Sequence, residues 1–294
     1  MSDLPFTFAQ RDLPLAPETY YRIGGPARLA LLPGTVEEAA EAFRWMLEQD
    51  APRLVMGCGS NMLIAEHGFP GNVLLTRHLC RFEPLGNGRF QVQAGLALER
   101  LVEDIIVPNN FDGAGVFTGI PGSVGGALYM NAGTANGATC VFTESVELVG
   151  KNGIRSVALE PSDHGYRSQS FCGADELILA GVFRFTPSNE SAAEVRVHYL
   201  QRRKEKQPFG FCCGSVFKNP PGDHAARLIE ACGLKGTRHG GAVISPLHAN
   251  FIMNEDAATF DDVMALIELC KARVHEQLGI VLEEEVRIID VKDV

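Results

Sequence analysis

The chain has 294 residues, 46% of them hydrophobic and 21% charged, with a mean hydropathy of +0.03. That profile belongs to a globular protein long enough for about two domains and a sizeable core. A formal net charge of -10 argues against broad binding to nucleic acid or anionic membranes, which needs a basic surface.

The first residues, "MSDLPFTFAQRDLP", lack a basic stretch followed by an apolar one, so they do not read as a signal peptide. No run approaches the roughly 18 apolar residues of a membrane span, and the chain reads as cytoplasmic. "GTVEEAAEAFRWMLEQD" predicts a helix with a Thr35–Glu38 capping box and Val36, Ala39, Ala40, Phe43 and Leu47 on one face. "RLVMGCGSNMLI" predicts a buried strand, a Gly-rich turn and a short apolar run. "VLLT" (73–76) and "FQVQAG" (90–95) read as strands, and "LALERLVEDIIV" (96–107) as a helix.

A second Gly-rich stretch follows, "GIPGSVGGALYMNAG" at Gly119–Gly133. "SVELVG", "IRSVAL", "LILAGVFRF" and "EVRVHYL" then read as strands between polar turns. "HAARLIEACG" is a short helix stopped by Gly233. "TFDDVMALIELCKARVHEQLG" is a longer one, with Thr259 as N-cap and Gly279 at its end. "IVLEEEVRIID" predicts a closing strand with Ile280, Leu282, Val286 and Ile288 on one face and Glu283, Glu285 and Arg287 on the other. This mixture predicts an α+β fold, not the strand–helix alternation of a doubly wound sheet. A boundary is expected near Ser188–Ser191, in "TPSNESAAE". The eight cysteines, at 58, 80, 140, 172, 212, 213, 232 and 270, form no CxxC and no metal-ligand spacing. They are expected to be buried small hydrophobes, with no metal site.

The glycines of the two rich stretches sit among apolar residues, unlike those of a flexible linker. Glycine lets a turn form a concave nest whose N–H groups converge on phosphate oxygens. Neither stretch has the GxGxxG fingerprint or a GxxxxGK[ST], and either alone is also what a tight turn between strands looks like. Together they suggest one large phosphate-bearing ligand.

The motifs "YYRIGGPARLALLP", "MGCGSNMLI", "GIPGSVGGALYMNAG", "GYRSQSF", "GSVFKNP", "AARLIEACGLKGTRHGGAVISPLHANFI" and "LEEEVRIID" follow one another over residues 20–290. In this order they resemble bacterial UDP-N-acetylenolpyruvoylglucosamine reductase (UDP-N-acetylmuramate dehydrogenase), in its shorter subtype. The resemblance implies a two-lobed FAD-binding domain of the vanillyl-alcohol-oxidase type and a C-terminal α/β substrate domain. With the boundary expected near Ser188–Ser191, the former takes 1–190, with subdomains of about 1–75 and 76–190, and the latter 191–294. FAD would lie against Gly57, Cys58, Gly59, Ser60 and Asn61 and against Pro121, Gly122, Ser123, Gly125 and Gly126. The sequence departs from the family's usual run at Ala135 and Asn136, and at Cys213, where a small alanine is usual. The segment between "GYR" and "GSVFKNP" is short, so the capping tyrosine loop of the longer subtype is not expected.

The implied reaction is reduction of an enol ether next to a carboxylate, with NADPH as hydride source and FAD as carrier. It belongs to peptidoglycan precursor synthesis. Arg167 in "GYR" is then the cation for the carboxylate, since a guanidinium binds it in a fork and stays charged. On pattern alone a loop arginine is a solvated surface residue, and the motif reverses that. Glu285, by likeness to the family's "EVR", stands at the same carboxylate, where its pKa should rise so that it donates a hydrogen bond. On pattern alone it belongs to a solvated sheet face. Ser215 in "GSVFKNP" is the implied proton donor, though a Gly-Ser pair is an ordinary turn in most proteins. "QRRKEKQ" (201–207) and Lys218, Asn219 and Asn250 are expected to serve the UDP-sugar, with the basic run also meeting the NADPH phosphate. The alternatives are another FAD-dependent oxidoreductase on the same scaffold and a non-catalytic nucleotide-sugar sensor. Arg167, Ser215 and Glu285 occurring together argue against the sensor. No protein partner is evident.

Overall fold

A computed structural model describes residues 4–290. The chain divides into two compact units, each discontinuous in sequence. One comprises the chain up to Arg11, Leu29–Cys58 and Gly71–Arg202. The other comprises Asp12–Arg28, Gly59–Pro70 and the chain from Arg203.

In the first unit, five strands form an antiparallel sheet in the order Gly153–Ala158, Thr143–Gly150, Leu177–Arg184, Arg89–Gln93 and Phe82–Gly86. Thr143–Gly150 is covered on both faces. Val146 and Leu148 join a core with Phe90, Phe117, Phe183 and Phe185, while Val149 joins Phe43 and Met46 on the other side. The residues 53–56 pair in parallel with 72–75, from Arg53 opposite Asn72 to Met56 opposite Leu75. Glu147 shares the helix-side face of its strand. Burial, and then Glu37 nearby, push its carboxyl above the ordinary range.

The helix over Val36–Leu47 starts as its capping box predicts. Glu38 N–H donates to Thr35 Oγ1 at 3.1 Å, and Thr35 N–H to Glu38 Oε2 at 3.2 Å. Its buried stripe is Ala39, Ala40, Ala42, Phe43 and Met46, so Ala42 and Met46 take the central places expected for Val36 and Leu47. The helix expected at 96–107 begins at Leu98 and widens over Leu101–Ile106 into a π-helical turn, with Val107 N–H donating to Val102 O at 2.9 Å. That turn buries Leu101, Val102, Ile105 and Ile106 together.

"EVRVHYL" is not a strand. It lies within the helix Ala192–Lys206. Val195, Val197 and Tyr199 alternate with polar residues and imitate a strand, but Ser191 starts a helix. Glu194 N–H donates to Ser191 Oγ at 3.3 Å, and Val195 N–H to Ser191 O at 2.9 Å.

In the second unit, Arg238–His239, Ala242–Ile244 and Ile252–Asn254 form a small antiparallel sheet. It packs with the helices Ala225–Ala231 and Phe260–Leu278 around Phe217, Leu228, Val263, Ile267 and Tyr21. Both helices end as expected, at Gly233 (φ 71°) and Gly279 (φ 69°). Thr259 caps the longer one, accepting from Asp262 N–H at 3.1 Å. The closing strand is shorter than predicted, Arg287–Ile289, and pairs in parallel with Met62–Ile64. The alternation holds in part: Leu282 and Val286 are buried and Glu283 and Arg287 exposed, while Ile280, Ile288 and Glu285 are all half-buried. All eight cysteines are free thiols. Five are buried, and Cys58, Cys80 and Cys232 are half-buried, so those three depart from the buried role expected. Among the described residues no helix is long and apolar enough to cross a membrane.

Candidate flavin and substrate sites

The turn at Gly57–Asn61 connects the strands Arg53–Met56 and Met62–Ile64. Among the described residues, none of its five backbone N–H groups donates a hydrogen bond. Its carbonyls do accept: Tyr20 N–H reaches Gly59 O at 3.1 Å, and Arg287 N–H reaches Asn61 O at 3.0 Å. Gly59 has φ 61°, and a Cβ there would lie 2.2 Å from Glu18 O, so only glycine fits. The turn is thus held by its oxygens and leaves its donors available, the arrangement of an anion-binding nest. The Asn61 side chain is engaged, its Nδ2 donating to Glu285 O at 2.9 Å.

The second stretch is built differently. Val124 N–H donates to Leu96 O at 2.8 Å and Gly125 N–H to Ala94 O at 2.7 Å, while Leu98 N–H donates to Gly122 O at 3.0 Å. A Cβ on Gly125 would lie 2.8 Å from Ala94 Cβ and 3.1 Å from Ala94 O. Gly125 therefore admits the neighbouring protein backbone. Ser123 stands at the N-cap of the short helix Val124–Tyr129, yet its hydroxyl makes no capping bond. That hydroxyl is buried and, among the described residues, has no nitrogen or oxygen partner, a state costing about 1–3 kcal/mol if nothing satisfies it. It faces Gly57, where a Cβ would lie 2.2 Å from Ser123 Oγ, and the Cys58 thiol adjoins it. Uncommitted N–H groups and a buried hydroxyl partnered, among the described residues, only by the Cys58 thiol fit a phosphate-bearing cofactor.

Arg167 belongs to the same unit as Ser123. It is the second tip residue of the hairpin His164–Gly165/Ser168–Gln169 and has φ 52°, a left-handed conformation rare for arginine. Such strain costs on the order of 1 kcal/mol and concentrates at functional sites. Both guanidinium Nη atoms approach Gly133 O at 3.5 Å, and the group stands 5.3 Å from the Tyr166 ring centroid. Asn131, which sequence reasoning passed over, buries its side chain beneath this hairpin. Its Nδ2 donates to Gly165 O at 2.8 Å and its Oδ1 accepts from Cys140 N–H at 3.0 Å. Its place within "YMNAG" was the signal available.

The second unit brings Ser215 and Glu285 onto adjacent backbone segments. Glu285 N–H donates to Val216 O at 2.8 Å, Lys218 N–H donates to Glu283 O at 2.9 Å, and Phe217 faces Glu284 in an antiparallel bridge. Ser215 is half-buried, and among the described residues its hydroxyl makes no hydrogen bond, which leaves the proton available. Asn250 is buried and clamps this segment: its Oδ1 accepts from Phe217 N–H at 2.9 Å, and its Nδ2 donates to Phe217 O at 2.8 Å. Asn219 Oδ1 accepts from Ala225 N–H at 3.0 Å, at the start of the helix Ala225–Ala231. Lys218 pairs with the exposed Glu283 carboxylate. The basic run forms the end of the helix Ala192–Lys206, with Arg202, Lys204 and Lys206 exposed. Arg203 is half-buried, donating to Gln207 Oε1 at 2.9 Å, and burial lowers its pKa.

The α+β fold and the uncommitted donors are those of a protein that binds a phosphate-bearing cofactor, and likeness to known proteins makes that cofactor FAD and the protein an oxidoreductase. Residues 27–157 match the FAD binding domain family, and residues 206–289 match the C-terminal domain of UDP-N-acetylenolpyruvoylglucosamine reductase. The reductase of that name from Legionella pneumophila (strain Corby) is 41% identical over 281 residues, covering 94% of this chain and 90% of the relative. The one from Chloroflexus aggregans is 37% identical over 296 residues, covering 97% and 99%. The crystal structure of the Thermus caldophilus reductase superposes with a TM-score of 0.80 at 32% identity, covering 96% of this chain and 98% of that one. This chain belongs to the UDP-N-acetylenolpyruvoylglucosamine reductase family.

Proposed function

We propose that the protein reduces UDP-N-acetylglucosamine enolpyruvate to UDP-N-acetylmuramate at the expense of NADPH, as a cytoplasmic step of peptidoglycan precursor synthesis. The observation that carries this reading is likeness over nearly the whole chain to reductases of that name, 41% identical in the first case. The flavin-binding part is taken as residues 1–190 and the substrate-binding part as 191–294, a division that leaves each matched family on its own side.

FAD, held by Gly57, Cys58, Gly59, Ser60 and Asn61 and by Pro121, Gly122, Ser123 and Gly126, would supply the hydride chemistry that side chains lack, while Gly125 lets this stretch pack on Ala94. Arg167 would bind the substrate carboxylate with its planar fork. Glu285 would share a proton with the same carboxylate, and Ser215 Oγ would give a proton to the carbon that becomes the lactyl Cα. Lys218 and Asn219 would meet the nucleotide-sugar. Asn250 would serve that pocket by holding Phe217, and the basic helix end would neutralise phosphates of both substrates.

Anaerobic rapid mixing tests the reading. The purified yellow protein should be bleached by NADPH and recoloured by the enolpyruvyl substrate. Ser215→Ala should bleach normally and recolour roughly 10²–10⁴-fold more slowly, with substrate affinity little changed. A protein that NADPH bleaches but the enolpyruvyl sugar cannot recolour is some other flavoenzyme.

A further inference from the structure

We infer that Tyr199 and Asn136 form a latch that positions Arg167, an inference resting on the reading of Arg167 just given. Residues Gly133–Thr134 and Gly137–Ala138 pair as a tight hairpin, with Gly133 opposite Ala138 and Thr134 opposite Gly137. Ala135 and Asn136 form its tip, where the sequence departs from the family's usual run. At the tip, the two N–H bonds of Asn136 Nδ2 reach Tyr199 Oη at 2.8 Å and Gly115 O at 3.2 Å. The Tyr199 ring lies flush on Gly115, where a Cβ would come within 2.9 Å of Tyr199 Cε2. At the base, Gly133 O is the carbonyl approached by both Nη atoms of Arg167.

The hairpin transmits position because it has no slack. A Cβ on Gly133 would lie 2.3 Å from Gly137 O and 2.6 Å from Ala138 Cα, so its two arms are in backbone contact. Asn136 N–H also donates to Thr134 Oγ1 at 3.2 Å, tying the tip to the arm. Below Gly133 the base is pinned, Ala132 O accepting from Thr139 N–H at 2.8 Å and from Thr139 Oγ1 at 2.7 Å, so releasing the tip loosens the carbonyl that orients the guanidinium without freeing the whole hairpin. Arg167's own hairpin is fixed separately through Asn131, so the latch governs the acceptor carbonyl and leaves the arginine backbone in place. Tyr199 and Asn136 are positioning residues that act through Arg167.

Tyr199→Phe keeps the ring on Gly115 and removes the acceptor. In the FAD-loaded full chain it should slow recolouring of the flavin by the enolpyruvyl substrate about two- to tenfold, the size expected of one exposed hydrogen bond. Bleaching by NADPH and FAD content should not change, and Tm should fall by no more than a few degrees. Asn136→Ala should behave alike. In an Arg167→Lys background, Tyr199→Phe should add no further slowing, because the fork it orients is gone. Equal slowing in both backgrounds, slowed bleaching by NADPH, or no effect of Tyr199→Phe would overturn the latch. Normal turnover of Arg167→Lys alone would overturn the reading of Arg167, and this inference with it.

Discussion

The turn Gly57–Asn61 and the stretch Pro121–Gly126 carry the same sequence signal, glycines among apolar residues, and put it to different uses. In the first, backbone donors are unengaged and the carbonyls hold the turn in place. In the second, two donors are bonded to Ala94 and Leu96, and Gly125 is there because Ala94 is against it. What the second stretch leaves unengaged among the described residues is the N–H groups of Gly122 and Ser123, the Ser123 hydroxyl, and the open side of Gly126, where a Cβ would stand 3.6 Å from Ser123 Oγ. A Gly-rich motif therefore does not reveal what approaches it. The hydrogen bonds of its N–H groups do.

If Gly125 answers to protein packing, its substitution should destabilise the protein even without FAD, and this is the largest effect expected. Gly125→Val should cost the apoprotein about 2–3 kcal/mol through overpacking against Ala94, seen as a lower Tm. An unchanged apoprotein Tm would erase the distinction between the two regions. Gly57 should show a smaller and reparable effect, because its close neighbour is the Ser123 side chain. Gly57→Ala should cost about 1–2 kcal/mol, and Ser123→Ala in the same chain should restore most of it, since Ser123 Cβ would stand 3.5 Å from the new methyl. Additive losses in the double variant would show that the two residues are not in contact.

What the sequence made legible follows from range. The helices Val36–Leu47 and Phe260–Leu278 were readable because their caps lie within four residues of the first turn. "EVRVHYL" misled because Val195, Val197 and Tyr199 alternate locally, while the helix is set by Ser191 upstream and the long polar run after it. The closing strand was read too long because Glu285 and Val286 N–H both bond to Val216 O, outside any regular ladder. Residues 215 and 285 are far apart in the chain, so their pairing had no local signature. The residue types at Arg167, Ser215 and Glu285 came from motif likeness, but the strained turn under Arg167 and the Asn131 clamp came from geometry. The discontinuity of both units was invisible because it depends on which strands pair.

Gly126 offers a sharper comparison inside the second stretch. It lies in the helix Val124–Tyr129, where glycine is about 1 kcal/mol worse than alanine. Gly126→Ala should thus raise the apoprotein's stability by up to about 1 kcal/mol. If the flavin backs onto this position, the same methyl should speed FAD release, measured by recovery of flavin fluorescence on dilution. A lower apoprotein Tm would place Gly126 with Gly125 as a packing residue.

The smallest expected effect joins the two regions through Cys58. Burial raises its thiol pKa above the ordinary 9.0, and the Ser123 hydroxyl acts the other way by donating to the thiolate. The thiol is therefore almost fully protonated near neutral pH, and its alkylation should be slow there and rise as pH passes 9. Ser123→Ala removes the donor and leaves burial, so the pKa should rise further and the thiolate fraction at a fixed pH should fall. Alkylation of Cys58 in the apoprotein, followed by peptide mass spectrometry, should slow about two- to fivefold, the low end of what one hydrogen bond contributes net. The variant also opens space beside the thiol, which acts in the opposite direction on access. The pH profile separates the two: a pKa effect shifts the midpoint upward and leaves the high-pH plateau unchanged, whereas an access effect raises the plateau. A midpoint that does not move would mean that Ser123 does not donate to Cys58, and that its hydroxyl points wholly into the space left for the ligand.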